Sequence, residues 1–548
     1  MLLAQEHFFS CRTIIKAMKS GYIWKSNWKC RNEGDDWLIT KESKVNFVLA
    51  GLLLGLLMAS MDNTIVATAM GTIVGELGGL DKFVWVTSAY MVATMAGMPI
   101  FGKLSDMYGR KRFYVFGLIV FLLGSILCGT ANSIVELSIY RAIQGIGGGA
   151  LMPIAFTIIF DVFPPEKRGK MTGLFGAVFG TSSVFGPLLG AYITEYIGWH
   201  WIFYINVPIG ALSLYFISVY YKESLEHRKQ SIDWWGAITL VGAVVSLMFS
   251  LELGGNQYAW GSVQILGLLT SFLVLFLLFL WIETKAAEPI LSFAMFKRRL
   301  FAASNAVALL YGAAFIISTV YLPIYIQGVY GGSATNSGLL LTPMMVGSVV
   351  GSQLGGMLTT KISFRRIMLI SAVFFVPGIF LLSTLSPEVP RWLVTIYMIL
   401  TGFGVGFSFS VLGMAVIHGF DMRQRGSASS TGSFFRSLGM TLGITIFGIV
   451  QRNLLESDMK NAFAGQSGLP EGIVGDPRAI LTPETRAAIP SPILDQITDF
   501  LASSIAHTFL WALVPAGLAV VFIILMGNER VQVNATGHKE PNPGRGGS

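Results

Sequence analysis

Apolar stretches of roughly twenty residues recur along this chain, close to the length a helix needs to cross about 30 Å of hydrocarbon. They fall at 46–69, 83–101, 113–131, 135–160, 171–193 and 201–221, then at 234–253 and 263–282. Six more follow at 301–325, 337–358, 367–385, 392–417, 428–450 and 507–526. The pattern predicts an all-α polytopic membrane protein of fourteen helices, arranged as six, two and six. Segment 451–505 is too polar to span, and it reads as an external surface cap or a short amphipathic helix.

The connections between these stretches alternate in charge. Six of them hold nineteen lysines and arginines: Lys103, Arg110, Lys111 and Arg112; Lys167, Arg168 and Lys170; Lys222, Arg228 and Lys229; Lys285, Lys297, Arg298 and Arg299; Lys361, Arg365 and Arg366; Arg423 and Arg425. The six short connections between them contribute only Lys82 and Arg391. Basic residues beside apolar spans are retained on the cytoplasmic side, so both chain ends are expected inside the cell, in a cytoplasmic membrane of bacterial type.

Composition agrees, since 53% hydrophobic and 12% charged residues lie far from the roughly 25% charge of soluble domains. The net charge of +8 flanks apolar runs and faces lipid headgroups, which excludes a nucleic-acid partner. Cys11, Cys30 and Cys128 show no paired spacing, so neither a disulfide nor a metal site is expected. The chain divides into a basic tail (1–44), a first half (45–222), two inserted helices with linkers (223–299), a second half (300–527) and a polar, disordered tail (528–548). The basic tail reads either as a segment lying on headgroups or as a start assigned too far upstream.

An internal repeat supports this division. Gly102-Lys-Leu-Ser-Asp106-Met-Tyr-Gly109-Arg110-Lys-Arg112 returns 254 residues later as a frame from Gly356 to Arg365 and Arg366, with Asp106, Gly109 and Arg110 replaced by Thr360, Ser363 and Phe364. At an offset of 257, Gln144-Gly-Ile-Gly-Gly-Gly matches Thr401-Gly-Phe-Gly-Val-Gly, and Arg168-Gly169 matches Arg425-Gly426. Related halves framing a central site belong to alternating-access transporters.

Asp62 is the only acid well inside a predicted span. At a helix centre an acid costs about 2.5 to 3.5 kcal/mol on insertion scales, so it is expected to face the bundle interior. Desolvation there favours its neutral form and a neighbouring arginine its charged form, which lets one side chain alternate between proton and cargo. Arg141 and Arg436 are the basic residues inside spans; each either snorkels to headgroups or lines the pathway. Asp161, Glu252 and His418 at span ends read as solvated or interfacial, and His200 between Trp199 and Trp201 as an interfacial anchor. Trp85, Tyr90, Met91, Tyr311, Phe315, Tyr321 and Tyr325 are candidates for flat, polarizable pocket walls.

The run from Gly102 to Arg112 resembles the loop signature of the major facilitator superfamily, and the chain over about 45–527 looks like that family's fourteen-span drug:proton antiporters, the EmrB/QacA-like branch. Arg141-Ala-Ile-Gln144-Gly145-Ile-Gly147-Gly148-Gly149 is similar to the family's buried-arginine motif. Gly176, Gly180, Gly186-Pro187 and Gly190 resemble its antiporter signature, with Ala191 standing where a second glycine is usual. Trp199-His200-Trp201 through Asn206, Pro208 and Gly210 extends the likeness, with His200 in place of a common arginine.

The resemblance implies a secondary transporter and no enzyme. Apolar or cationic drugs would leave in exchange for protons, with no cofactor beyond the proton gradient, by a chain acting as a monomer. It implies further that Gly102, Asp106, Gly109, Arg110 and Arg112 gate the cytoplasmic side, with Asp106 latching the outward-facing state, and that Asp62 and Arg141 couple proton and substrate. Export of a lipid, siderophore or metabolite stays open as an alternative, and a membrane enzyme or receptor as a remote one.

Overall fold

The computed structural model describes residues 44–78, 82–223, 232–255, 257–331, 341–463 and 489–531. The predicted basic tail, save Lys44, and most of the carboxyl tail lie outside these. Inside hydrocarbon each backbone N–H and C=O must find its partner within the segment, and among the described residues the chain forms fourteen long helices and no strand.

The first six are α1 (Val45–Leu77), α2 (Val84–Tyr108), α3 (Arg110–Cys128), α4 (Ile134–Val162), α5 (Pro165–Tyr196) and α6 (Asn206–Tyr220), the last preceded by one turn at Trp201–Tyr204. Then come α7 (Trp234–Leu253) and α8 (Val263–Lys285), followed by α9 (Arg299–Gly328), α10 (Thr342–Leu358), α11 (Phe364–Leu382), α12 (Arg391–Ile417), α13 (Arg425–Phe463) and α14 (Ser491–Leu525). Twelve are long and apolar enough to cross a membrane; α2 and α10 fall short by that measure, and α10 has 17 residues.

Local sequence sets several boundaries. Ser133 caps α4 by accepting the Glu136 N–H at 3.2 Å, and the Glu136 carboxylate accepts the Asn132 N–H at 3.0 Å, so polar side chains satisfy the free donors of the first turn. Gly109 separates α2 from α3 at φ 108°, a conformation other residues rarely adopt.

Two expectations about polar segments need correction. Segment 451–505 is no separate cap at its described ends, because α13 runs on to Phe463 and α14 begins at Ser491. Leu455 and Met459 on one side and Ile497, Leu501 and Ile505 on the other are buried at helical spacing, and Gln451 donates to Ser504 at 3.2 Å. Polar residues between those apolar positions dilute the hydropathy of the run and conceal its one-sided pattern. The carboxyl tail likewise starts packed: the Glu529 carbonyl accepts the Phe364 N–H at 3.0 Å, and Val531 is buried.

Packing repeats as the sequence does. In the first six helices α1 packs on α5 and α6, α4 on α2 and α3, and α3 on α6; in the last six α9 packs on α13 and α14, α12 on α10 and α11, and α11 on α14. The two groups meet through α5 with α10 and α2 with α13, a reciprocal exchange of the second and fifth members. Of the inserted pair, α7 packs on both α2 and α13, while α8 rests on α7 and is otherwise mostly exposed.

Candidate functional site

Asp62 on α1 is 1% exposed. Its Oδ2 is ion-paired with Arg141 of α4, while its Oδ1 accepts from Gln144 Nε2 at 2.8 Å and from Asn206 Nδ2 at 2.9 Å. Arg141 also donates to Gln144 Oε1 at 2.6 Å and to the Val86 carbonyl at 3.3 Å, and lies 4.2 Å over the Tyr90 ring. Ser125 of α3 ties the set together, accepting from Asn206 at 2.9 Å and Gln144 at 3.2 Å while donating to the Phe203 carbonyl. Glycines make room: a Cβ at Gly124 would strike the backbone of Gln144, and one at Gly147 the backbone of Phe121.

Asp62 is thus shielded from lipid, yet its side chain points among α3, α4 and α6. In this state it faces the interior of the first half, among partners that all belong to that half. Arg141 is fully buried and ion-paired, not extended toward headgroups. Gln144, Asn206 and Ser125 complete the network; the first two lie in the quoted motifs, but no spacing rule connects them to Asp62.

A second cluster joins the halves at the end of the bundle that carries the basic loops. Asp106 accepts the backbone N–H groups of Gly426 and Ser427, each at 2.7 Å, and the Ser427 hydroxyl at 3.0 Å. Three donors and the positive end of the α13 dipole therefore converge on one carboxylate. Arg110 is fully buried, pairs with Asp161 and, at 3.5 Å, with Asp106, and donates to the Met422 carbonyl. Asp161 also meets Arg425 at 3.2 Å. It is 8% exposed, which corrects the solvated reading: α4 ends inside the bundle, where two arginines require a counter-ion. Glu223 was not anticipated, and its carboxylate accepts the N–H of Arg110 at 2.6 Å and of Lys111 at 3.2 Å at the start of α3. Arg112 stands exposed outside this cluster.

Gly102 permits the close approach of α2 and α13, since a Cβ there would enter Ser430. Helix α5 uses two glycine faces. At Gly186 and Gly190 a Cβ would strike Thr64 and Thr68 of α1; at Gly169, Gly176 and Gly180 it would strike Gly356, Ser352 and Val349 of α10. Pro187 lies within that helix. The cross-half contacts at Gly169–Gly356, Asp106–Ser427 and Asp161–Arg425 all sit toward the basic end, which is closed in this state.

The aromatic candidates divide. Tyr311 stacks on Phe375 at 4.5 Å with its hydroxyl 3.2 Å from Ser371, and the Tyr325 hydroxyl donates to the Ser386 carbonyl at 2.7 Å. Both are buried in the second half in this state, their hydroxyls satisfied by α11 and the turn after it. Tyr321 is buried as well. Trp85 packs edge-on against Phe249 of inserted α7, and Tyr90 belongs to the Arg141 network. Phe315 meets Phe409 at 5.9 Å, and Met91 is exposed. Arg436 donates to the Ser408 carbonyl at 3.1 Å inside the bundle, which rules out snorkelling in this state. His200 stacks on Trp199 at 3.8 Å; Glu252 is half-buried. His418 lies 3.9 Å from Glu529, and burial lowers its pKa below the usual imidazole value.

Residues 52–444 match the family profile "Major Facilitator Superfamily". The chain is 60% identical over 512 residues to Multidrug resistance protein 3 of Bacillus subtilis, covering 92% of this chain and all of that protein. It is 35% identical to the Multidrug transporter protein MdtP of the same organism, covering 89% and 94%. The human organic anion transporter MFSD10 shares the fold, at a TM-score of 0.55 and 15% identity over 88% of this chain and all of that one. So does the proton:xylose symporter XylE, also at 0.55, with 14% identity over 87% and 96%. This chain is a multi-pass membrane transporter of the major facilitator superfamily.

Proposed function

We propose that the protein is a multidrug exporter of the cell membrane, driven by exchange for protons and acting on apolar or cationic compounds. Its two most similar named relatives above are multidrug proteins. The observation that carries the coupling is the buried Asp62–Arg141 pair, with Gln144 and Asn206 on the same carboxylate. Removing one partner of a buried pair costs about 3 to 5 kcal/mol, so a proton arriving at Asp62 leaves Arg141 uncompensated. The contacts of α1 with α4 and α6 then rearrange, and departure of the proton reseals them.

Cargo loads while the basic end is open and leaves while it is closed, and Asp106 on the start of α13 holds the closed state. One charge moved through 100 mV is worth about 2.3 kcal/mol, enough for more than a tenfold gradient of a neutral solute. The sequence carries no Gly-x-x-x-x-Gly-Lys-Ser/Thr phosphate loop, in keeping with a proton-driven cycle. The reading includes fourteen spans with both ends cytoplasmic: α2 and α10 pack between spanning neighbours, and the lysines and arginines favour that orientation. It also includes action as a single chain.

The decisive experiment is an imposed pH step across liposomes holding purified protein and a fluorescent cationic dye. Wild type concentrates the dye against its gradient and the protonophore-treated sample does not. Asp62→Asn abolishes the proton-linked component; flux that survives this substitution unchanged would remove the assignment.

A further inference from the structure

Arg436, half-buried, differs from the two fully buried arginines. Arg141 has Asp62 and Arg110 has Asp161, whereas among the described residues no carboxylate pairs with Arg436. One nitrogen donates to the Ser408 carbonyl, and the guanidinium lies 5.0 Å from the centre of the Phe409 ring. A carbonyl and a ring face compensate a full charge only in part. An ionisable group kept within a membrane bundle marks a pathway position, and its partner has to be named.

Its surroundings lie between the two halves. Met152 and Phe156 of α4 form one wall of a cavity; Leu412 of α12 with Ser429, Ser433 and Arg436 of α13 form the other. The Ser429 hydroxyl donates to the Pro153 carbonyl at 2.9 Å, joining the walls, and Phe409 stacks on Phe179 of α5 at 6.0 Å beside them. In this state about 20 Å³ is free, room for a single water. Because the walls belong to different halves, separating the basic end widens the cavity and releases the Ser429 hydroxyl.

We propose that this cavity is a binding site for the carboxylate of an apolar aromatic acid. Arg436 holds the anion while the basic end is open, and closure squeezes it out. The planar guanidinium matches a carboxylate through two parallel N–H bonds, Ser429 and Ser433 supply neutral donors, and Phe156 and Met152 receive the apolar remainder. The proposal rests on the transport reading above but names a substrate class absent from it: compounds with an acidic group, acids and zwitterions included.

Naphthoate, naphthamide and naphthylmethylamine share one ring system and differ in charge, so their binding to purified protein by calorimetry isolates the anion. Wild type binds naphthoate at least about tenfold more tightly than naphthamide, as a charge-assisted bidentate bond requires. Arg436→Gln brings that ratio close to one, and Arg436→Lys keeps part of it. Comparing ligands on the same sample makes the ratio independent of protein yield. Equal binding of acid and amide by wild type overturns the proposal, even if no variant folds, and so does a preference that survives Arg436→Gln. Acid preference without proton-driven flux leaves this site standing and removes the antiport reading; proton-driven dye flux without acid preference does the reverse.

Discussion

The carboxylate of Asp106, near the end of α2, accepts the backbone N–H of Ser427 at 2.7 Å, so two residues 321 positions apart join the halves at the first turn of α13. A hydrogen bond to a charged group is worth about 1.5 to 3 kcal/mol, and this carboxylate receives three from α13. Asp106→Asn keeps the shape and loses the charge. It is expected to shift the balance toward the basic-end-open state by about tenfold or more. Labelling of a cysteine placed at Ser429 should speed up accordingly, while export slows at equal surface expression.

Asp161 separates Arg110 from Arg425. Asp161→Asn leaves two guanidinium groups facing each other with one fewer compensating charge, a change of about 3 to 5 kcal/mol for a buried pair. The expected result is a marked fall in thermal unfolding temperature in detergent, partly restored by adding Arg425→Gln. A single variant as stable as wild type would show that the cluster is not held by charge.

Gly169 of α5 lies against Gly356 of α10, where a Cβ on either would strike the other's backbone carbonyl. A backbone cannot swing aside as a side chain does, so Gly169→Ala should prevent full closure of the basic end and stop export. Gly71→Ala is the control, because a Cβ there meets nothing within 4 Å. Transport by the two variants in the same vesicles separates close approach from helix composition.

Tyr311 is packed against Phe375 in this state, so Tyr311→Phe should remove its bond to Ser371 at about 1 kcal/mol of stability. Thermal unfolding should register that loss while the pattern of exported compounds stays as in wild type. A changed pattern would return this residue to the pocket.

The apolar runs, the loop signature and the lone span-centre acid were legible in the sequence because each is a local property. Twenty apolar residues must form a helix in lipid, a turn at φ 108° needs Gly109, and Asp62 is conspicuous among residues that avoid charge. Helix ends at Phe463 and Ser491 were not legible, since windowed hydropathy averages away a one-sided stripe of apolar positions. Asp161 and Glu223 were missed for a different reason: an acid at a span end looks solvated until the partner helices are known.

The sequence by itself determined that this chain lives in a bilayer, that its two ends of six helices are relatives, and which few charged groups must be kept from lipid. Only the tertiary structure decided which of these meet. Asp62 turns inward to Arg141, Gln144 and Asn206 within the first half; Asp106 reaches across to α13; Arg436 stands in the cavity between halves. Which face of a helix a residue occupies follows from its position along the chain, but which neighbour that face meets depends on packing among helices hundreds of residues apart. Desolvated charge settles the outcome, because inside the bundle an ionised group needs a partner, and the assembled fold supplies one to Asp62 and to Asp106.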